Sequence, residues 1–169
     1  MKDELMDIYD ENKNLTGKTI LRKNKDNLLE NEYVISVHCF IINSSSKILL
    51  TQRSLTKNRG GMWEDTHGGL RSGETSIQGI QRELYEELGI TVESNELILF
   101  KTSKGKNNFR DIYILKKDIP LESFSFNDGE VMACKYVTIE EFKKIIKDGK
   151  CTFTSFEQTI FYDNDITNF

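Results

Sequence analysis

Three glutamates, Glu83, Glu86 and Glu87, stand three and four positions apart within GGLRSGETSIQGIQRELYEELGI, residues 68–90. On a helix that spacing sets their carboxylates along one side. Like charges at such spacings repel by about 0.2–0.5 kcal/mol a pair. They also fall in the later turns, where the helix dipole disfavours acids. Gathering three carboxylates there points to a cation, and an all-oxygen donor set suits Mg2+ or Mn2+ better than zinc. The plainer alternative is a solvated acidic face, which needs no ligand.

The elements that would carry these acids follow from periodicity. Between residues 75 and 88, Ile77, Ile80, Leu84 and Leu88 recur every three or four positions, which predicts one helix with an apolar stripe. Gly89 follows as a stop signal. Ahead of it, residues 55–69 read as a loop rich in glycine, with Trp63 covering the core or facing a ligand. VISVHCFIIN, residues 34–43, is β-branched and apolar on both faces, a central strand. KILLTQRS, residues 47–54, follows across NSSS as its hairpin partner.

Shorter strands are expected at residues 6–10 and 14–22, with a helical turn near 27–33. Further strands are expected around 97–100, 109–117 and 131–138. A second helix is expected over 139–149 and a short third over 155–163. The sum is an α+β or layered α/β domain spanning residues 1–169, with 1–32 as an N-terminal strand extension.

Composition bounds the rest. The chain has 169 residues, 37% of them apolar, with ten Phe, enough for one core. The net charge of -4, with basic residues dispersed, argues against duplex nucleic acid and against a membrane surface. No run reaches the ~20 apolar residues of a membrane span. Cys39, Cys134 and Cys151 are odd in number and form no CxxC pair. That usage fits a reducing, cytoplasmic location, and Cys39 reads as a small core residue.

The segment resembles the Nudix box, the motif of the Nudix hydrolases. Gly68, Glu74, Arg82-Glu83, Leu84, Glu86-Glu87, Gly89 and Ile90 match its fixed positions and both of its gaps. The resemblance implies a loop-helix-loop against a mixed β-sheet sandwiched between helices. It implies Mg2+- or Mn2+-dependent cleavage of a small diphosphate joined to another group, and a homodimer as a common state. Glu83 and Glu87 would then be metal ligands, with Glu86 a ligand or a partner that activates water. Gly68 would let backbone approach the metal. Glu74 would support the site from the helix start, and Arg82 would pair with a box carboxylate.

YVISVHCFIINSSSKILLTQRSLTKNRGGMWEDTHGGLRSGE also resembles the isopentenyl-diphosphate isomerase branch of the superfamily. Isomerases carry a cysteine in an Asn-x-x-Cys-Gly-His run. The matching run here is Asp65, Thr66, His67, Gly68, Gly69, without cysteine, so hydrolysis is the expected chemistry. A diphosphate-binding sensor is the alternative from another class.

Outside the box, Glu130 in NDGE is the candidate general base, with Asp128 beside it. A plain turn acid is the alternative for Glu130. Arg53, at a strand end, and Arg59, in the loop with Lys57, are candidate phosphate contacts. His67 could bind phosphate or metal, or cap its loop. His38 could be a buried, satisfied side chain or reach the site.

Overall fold

The computed structural model describes residues 4–152. Two strands, β1 (Leu5–Tyr9) and β2 (Leu15–Leu21), form a separate antiparallel hairpin with Met6 opposite Ile20. Asp10 builds its turn by accepting the backbone N–H groups of Asn12 and Asn14, each at 2.9 Å. The turn expected near 27–33 lies earlier: a 3-10 segment covers Arg22–Asn27. None of its residues is buried, so no apolar pattern marked it.

The central strand is β3 (Val34–Ile42), buried at every position but Ser36. A strand that meets protein on both faces is largely apolar on both, which explains the prevalence of Val34, Ile35, Val37, Ile41 and Ile42. The hairpin to β4 (Ile48–Arg53) is present, with Ile42 opposite Ile48. Asn43 closes its turn by accepting from the N–H groups of Ser45 and Lys47.

The expected loop at 55–69 contains two short strands, β5 (Trp63–Glu64) and β6 (Thr66–Gly69). Neither shows the alternation of a strand. Each exists because a neighbouring strand takes its backbone: β5 pairs with β4, setting Trp63 opposite Gln52, and β6 pairs with β3.

Helix α1 (Ser76–Leu88) buries Ile80, Leu84 and Leu88, while Ile77 is half-buried. Gly89 ends it at φ +70°, and the Ser125 N–H bonds the carbonyl of Leu88. Strands β7 (Leu97–Lys104), β8 (Asn108–Lys116) and β9 (Val131–Val137) follow. Helix α2 (Ile139–Lys147) opens on a reciprocal cap between Thr138 and Glu141. Hydrogen bonds link the strands in the order β5-β4-β3-β8-β7, with β6 beside β3 and β9 beside β4. The helix expected at 155–163 lies outside the described residues. Among the described residues, no helix is long and apolar enough to cross a membrane.

The chain clusters into two compact units. Among the described residues, one holds the chain up to Cys39, with His67–Leu84 and Thr91–Ile114. The other holds Phe40–Thr66, Tyr85–Ile90 and the described residues from Leu115 on.

Candidate active site

The glycine loop and the helix meet at Glu83. Its side chain is 8% exposed. A Cβ placed on Gly68 would lie 1.9 Å from Glu83 Oε1 and 2.1 Å from its Cδ. The carboxylate therefore occupies space that only glycine leaves. Burying a carboxylate is expensive unless a partner or cation compensates it.

Arg82 supplies one partner. Its Nη1 donates to Glu83 Oε1 at 2.6 Å, and Nε and Nη2 donate to Glu74 Oε1 and Oε2 at 2.7 and 3.0 Å. Nη2 also donates to the Gly69 carbonyl at 3.0 Å. One planar fork thus ties the start of the segment to a helix carboxylate, a geometry lysine cannot supply.

Burial raises the pKa of Glu74, but the bonds from Arg82 and from the Arg71 N–H more than offset it and hold the carboxyl below its ordinary value. Burial likewise pulls the Arg82 pKa down, and Glu74 and Glu83 together drive it up, so the guanidinium stays charged. In the later turns of α1, Glu87 is buried at 4% exposure and Glu86 is half-buried.

His67 lies on β6, and its ring stacks on His38 of β3 with centroids 4.9 Å apart and planes 5° from parallel. His38 is 7% exposed, with its Nε2 3.3 Å from Ser36 Oγ. His38, His67 and, two residues back along the chain, Asp65 make up a group that could hold a metal ion. Cys39 is buried, as a core residue should be.

The remaining predicted residues are engaged as follows. Arg53 Nη1 donates to Glu64 Oε1 at 2.7 Å and its Nε to the Asn58 carbonyl at 3.0 Å. Arg59 has a left-handed backbone, φ +57°, and donates to the Thr152 carbonyl at 2.9 Å. Lys57 bonds Glu130, whose N–H in turn donates to Asp128 Oδ1 at 2.8 Å. Trp63 is half-buried, with Lys135 Nζ 3.9 Å from its ring centroid, a cation–π contact.

Sequence reasoning passed over two buried acids. Glu64, 3% exposed, accepts from Arg53 and from Thr152 Oγ1. Asp111, 1% exposed, accepts from Lys13 Nζ at 2.5 Å, Ser76 Oγ at 2.6 Å and Thr102 Oγ1 at 2.7 Å. The signal for Asp111 was an acid set in an apolar strand run, NFRDIYILK, which is costly unless the acid is bonded.

Comparison with known proteins bears on this arrangement. An uncharacterized Nudix hydrolase of Listeria monocytogenes is 30% identical over 149 residues, covering 87% of each chain. An isopentenyl-diphosphate Delta-isomerase of Serratia proteamaculans is 31% identical over 101 residues, 58% of this chain and 54% of its own. The crystal structure of DR0079 from Deinococcus radiodurans superposes with a TM-score of 0.74 at 23% identity, covering 93% of this chain and 97% of that one. The shared fold is α+β, a mixed β-sheet flanked by helices. With a glycine loop seating a helix glutamate, and with residues 32–155 matching the NUDIX domain, the chain belongs to the Nudix family.

Proposed function

We propose that this protein hydrolyses a diphosphate linkage in a small substrate, with Mg2+ or Mn2+ held by Glu83, Glu86 and Glu87. The observation that carries this reading is the seat of Glu83 against Gly68, where a carboxylate is packed on bare backbone instead of being turned to solvent. The donors fit a hard divalent ion, being carboxylate oxygens of which Glu83 and Glu87 are buried. Such an ion, when bound, neutralises charge on the phosphate oxygens and acidifies water.

The chain's own residues do the rest. Arg82 fixes the Glu83 rotamer and holds Glu74 at the helix start. Glu130 takes the proton of the attacking water as the new P–O bond forms and the bridging P–O bond breaks. Lys57 donates to Glu130 and orients its carboxylate. Arg53, Arg59 and His67 are the proposed contacts to substrate.

A net charge of -4 favours a small anionic substrate over duplex nucleic acid, and three widely spaced cysteines fit a cytoplasmic setting. A homodimer remains part of the proposal. Kinship with the isomerase branch is proposed as shared ancestry without shared chemistry, because His67, not a cysteine, occupies the matching run.

The test is Mg2+-dependent release of phosphate or nucleotide from a panel of ADP-ribose, nucleoside triphosphates, nucleotide sugars, dinucleoside polyphosphates, CoA and isopentenyl diphosphate. Cleavage abolished by EDTA and by Glu87→Gln is expected. Tight binding of one compound with no turnover would replace the hydrolase with a sensor. Isomerisation of isopentenyl diphosphate without hydrolysis would overturn the argument from the missing cysteine.

A further inference from the structure

We infer that the N-terminal hairpin is a positioning device for the metal site, acting through Asp7 and Glu4 on the loop that leads into helix α1. The hairpin precedes the matched domain span of residues 32–155, so the family's own motif does not contain it. Yet it grips the box loop residue by residue. Asp7 Oδ1 accepts from Ser72 Oγ at 2.6 Å and Asp7 Oδ2 from the Gly73 N–H at 2.8 Å. The Ser72 N–H donates to the Leu5 carbonyl at 2.8 Å. Glu4 Oε1 accepts from Nε and Nη2 of Arg71 at 3.0 and 2.7 Å, while its Oε2 accepts from Arg22 at 2.8 Å.

Those contacts continue inward. The Arg71 N–H donates to Glu74 Oε2, Glu74 holds Arg82, and Arg82 holds Glu83 Oε1. An unbroken run of charge-assisted bonds thus leads from the hairpin to the carboxylate seated on Gly68. A second grip fixes the helix start: Lys13, at the hairpin turn, bonds Asp111, and Asp111 accepts from Ser76, the first residue of α1. Tyr113 O–H donates to Ser76 Oγ at 2.9 Å and completes that anchor. Loop residues 71–73 are therefore held by the hairpin directly, and the helix start at Ser76 is linked to it through Asp111. Gly73, at φ +83°, is the point where an unsupported loop would most easily change shape.

Asp7 and Glu4 act through Arg71, Ser72 and Gly73, so they are positioning residues. The inference rests on the reading that Glu83 ligates a divalent ion, and the test separates the two. Mn2+ binding is measured by electron paramagnetic resonance for the wild type, Asp7→Ala, Asp7→Asn, Glu4→Gln and Glu83→Gln, with thermal midpoints recorded in parallel. Glu83→Gln should lose Mn2+ binding. Asp7→Ala and Glu4→Gln should weaken it roughly three- to tenfold, below the 10–100-fold typical of a group bonded directly to a metal ligand. Asp7→Asn, which keeps an acceptor oxygen, should fall between Asp7→Ala and wild type.

Binding is read well below each thermal midpoint, so lost stability alone would leave the affinity unchanged. If Asp7→Ala does not fold, Glu4→Gln decides. Wild-type affinity in both hairpin variants, with loss in Glu83→Gln, overturns the positioning role and leaves the metal reading standing. Wild-type affinity in Glu83→Gln overturns both.

Discussion

Gly68 and Glu83 share one small volume: the Glu83 carboxylate lies where a side chain at position 68 would begin. Gly68→Ala would force Oε1 out of a 1.9 Å overlap, and the displaced carboxylate could not keep its bond to Arg82 Nη1. A shift of an ångström at a catalytic group costs about a hundredfold in rate. We expect Gly68→Ala to lose about that much kcat with a folded far-ultraviolet circular dichroism spectrum. Steady-state kinetics at saturating Mg2+ would check it, and activity within threefold of wild type would show that the seat is not required.

Arg82 bonds Glu74 and Glu83 at once. Removing it leaves two carboxylates largely buried without their shared cation, and breaking such a pair from one side costs about 3 kcal/mol. Arg82→Ala should shift the urea midpoint accordingly. Arg82→Lys should recover only part of the loss, because one ammonium cannot reproduce the fork.

Glu4 makes stability depend on pH. Burial raises its pKa, but the bonds from Arg22 and Arg71 prevail and hold it below the ordinary 4.5. A depressed carboxyl contributes stability that is fully present above the unfolded value and is lost as pH falls through the folded one. The difference in thermal midpoint between wild type and Glu4→Gln should therefore be constant above about pH 4.5 and shrink below it. A difference that stays flat into strong acid would show that the Glu4 ion pairs contribute nothing.

Gly89 stops the helix that carries Glu87, at φ +70°, with Ser125 Oγ 1.9 Å from where its Cβ would stand. A left-handed backbone costs an L-residue about 1–2 kcal/mol, and the overlap with Ser125 adds to that. Gly89→Ala should destabilise by more than that backbone figure. Gly89→Ala combined with Ser125→Gly should recover the steric part and leave the backbone part, as chemical denaturation would show.

Much of this was legible in the residues because its physics is local. The stripe of Ile80, Leu84 and Leu88 and the stop at Gly89 place α1 to within a residue, and the β-branched run places β3. The resemblance to the Nudix box marked the acids and Gly68, but not that Glu83 packs against Gly68. What stayed hidden depends on partners distant in sequence. Strands β5 and β6 have no pattern of their own and exist through β4 and β3. The 3-10 turn at Arg22–Asn27 buries nothing and so left no apolar trace. Arg53 reads from the chain as a phosphate contact at a strand end, and nothing nearby in the chain reveals that buried Glu64 also bonds it. Asp111 and Asp7 act on residues 35 and 65 positions away, too far for any local rule to pair them.

The same distances bear on how the molecule assembles. Asp7 leaves the ribosome 65 residues before Ser72, and Lys13 leaves 98 residues before Asp111. The hairpin is thus synthesised first but completed late, since its fixed partners do not exist until most of the domain has been made. Until then a two-stranded ribbon is marginal in water. Its docking should be among the closing steps of folding, so that the first residues made report whether the rest has reached its final form.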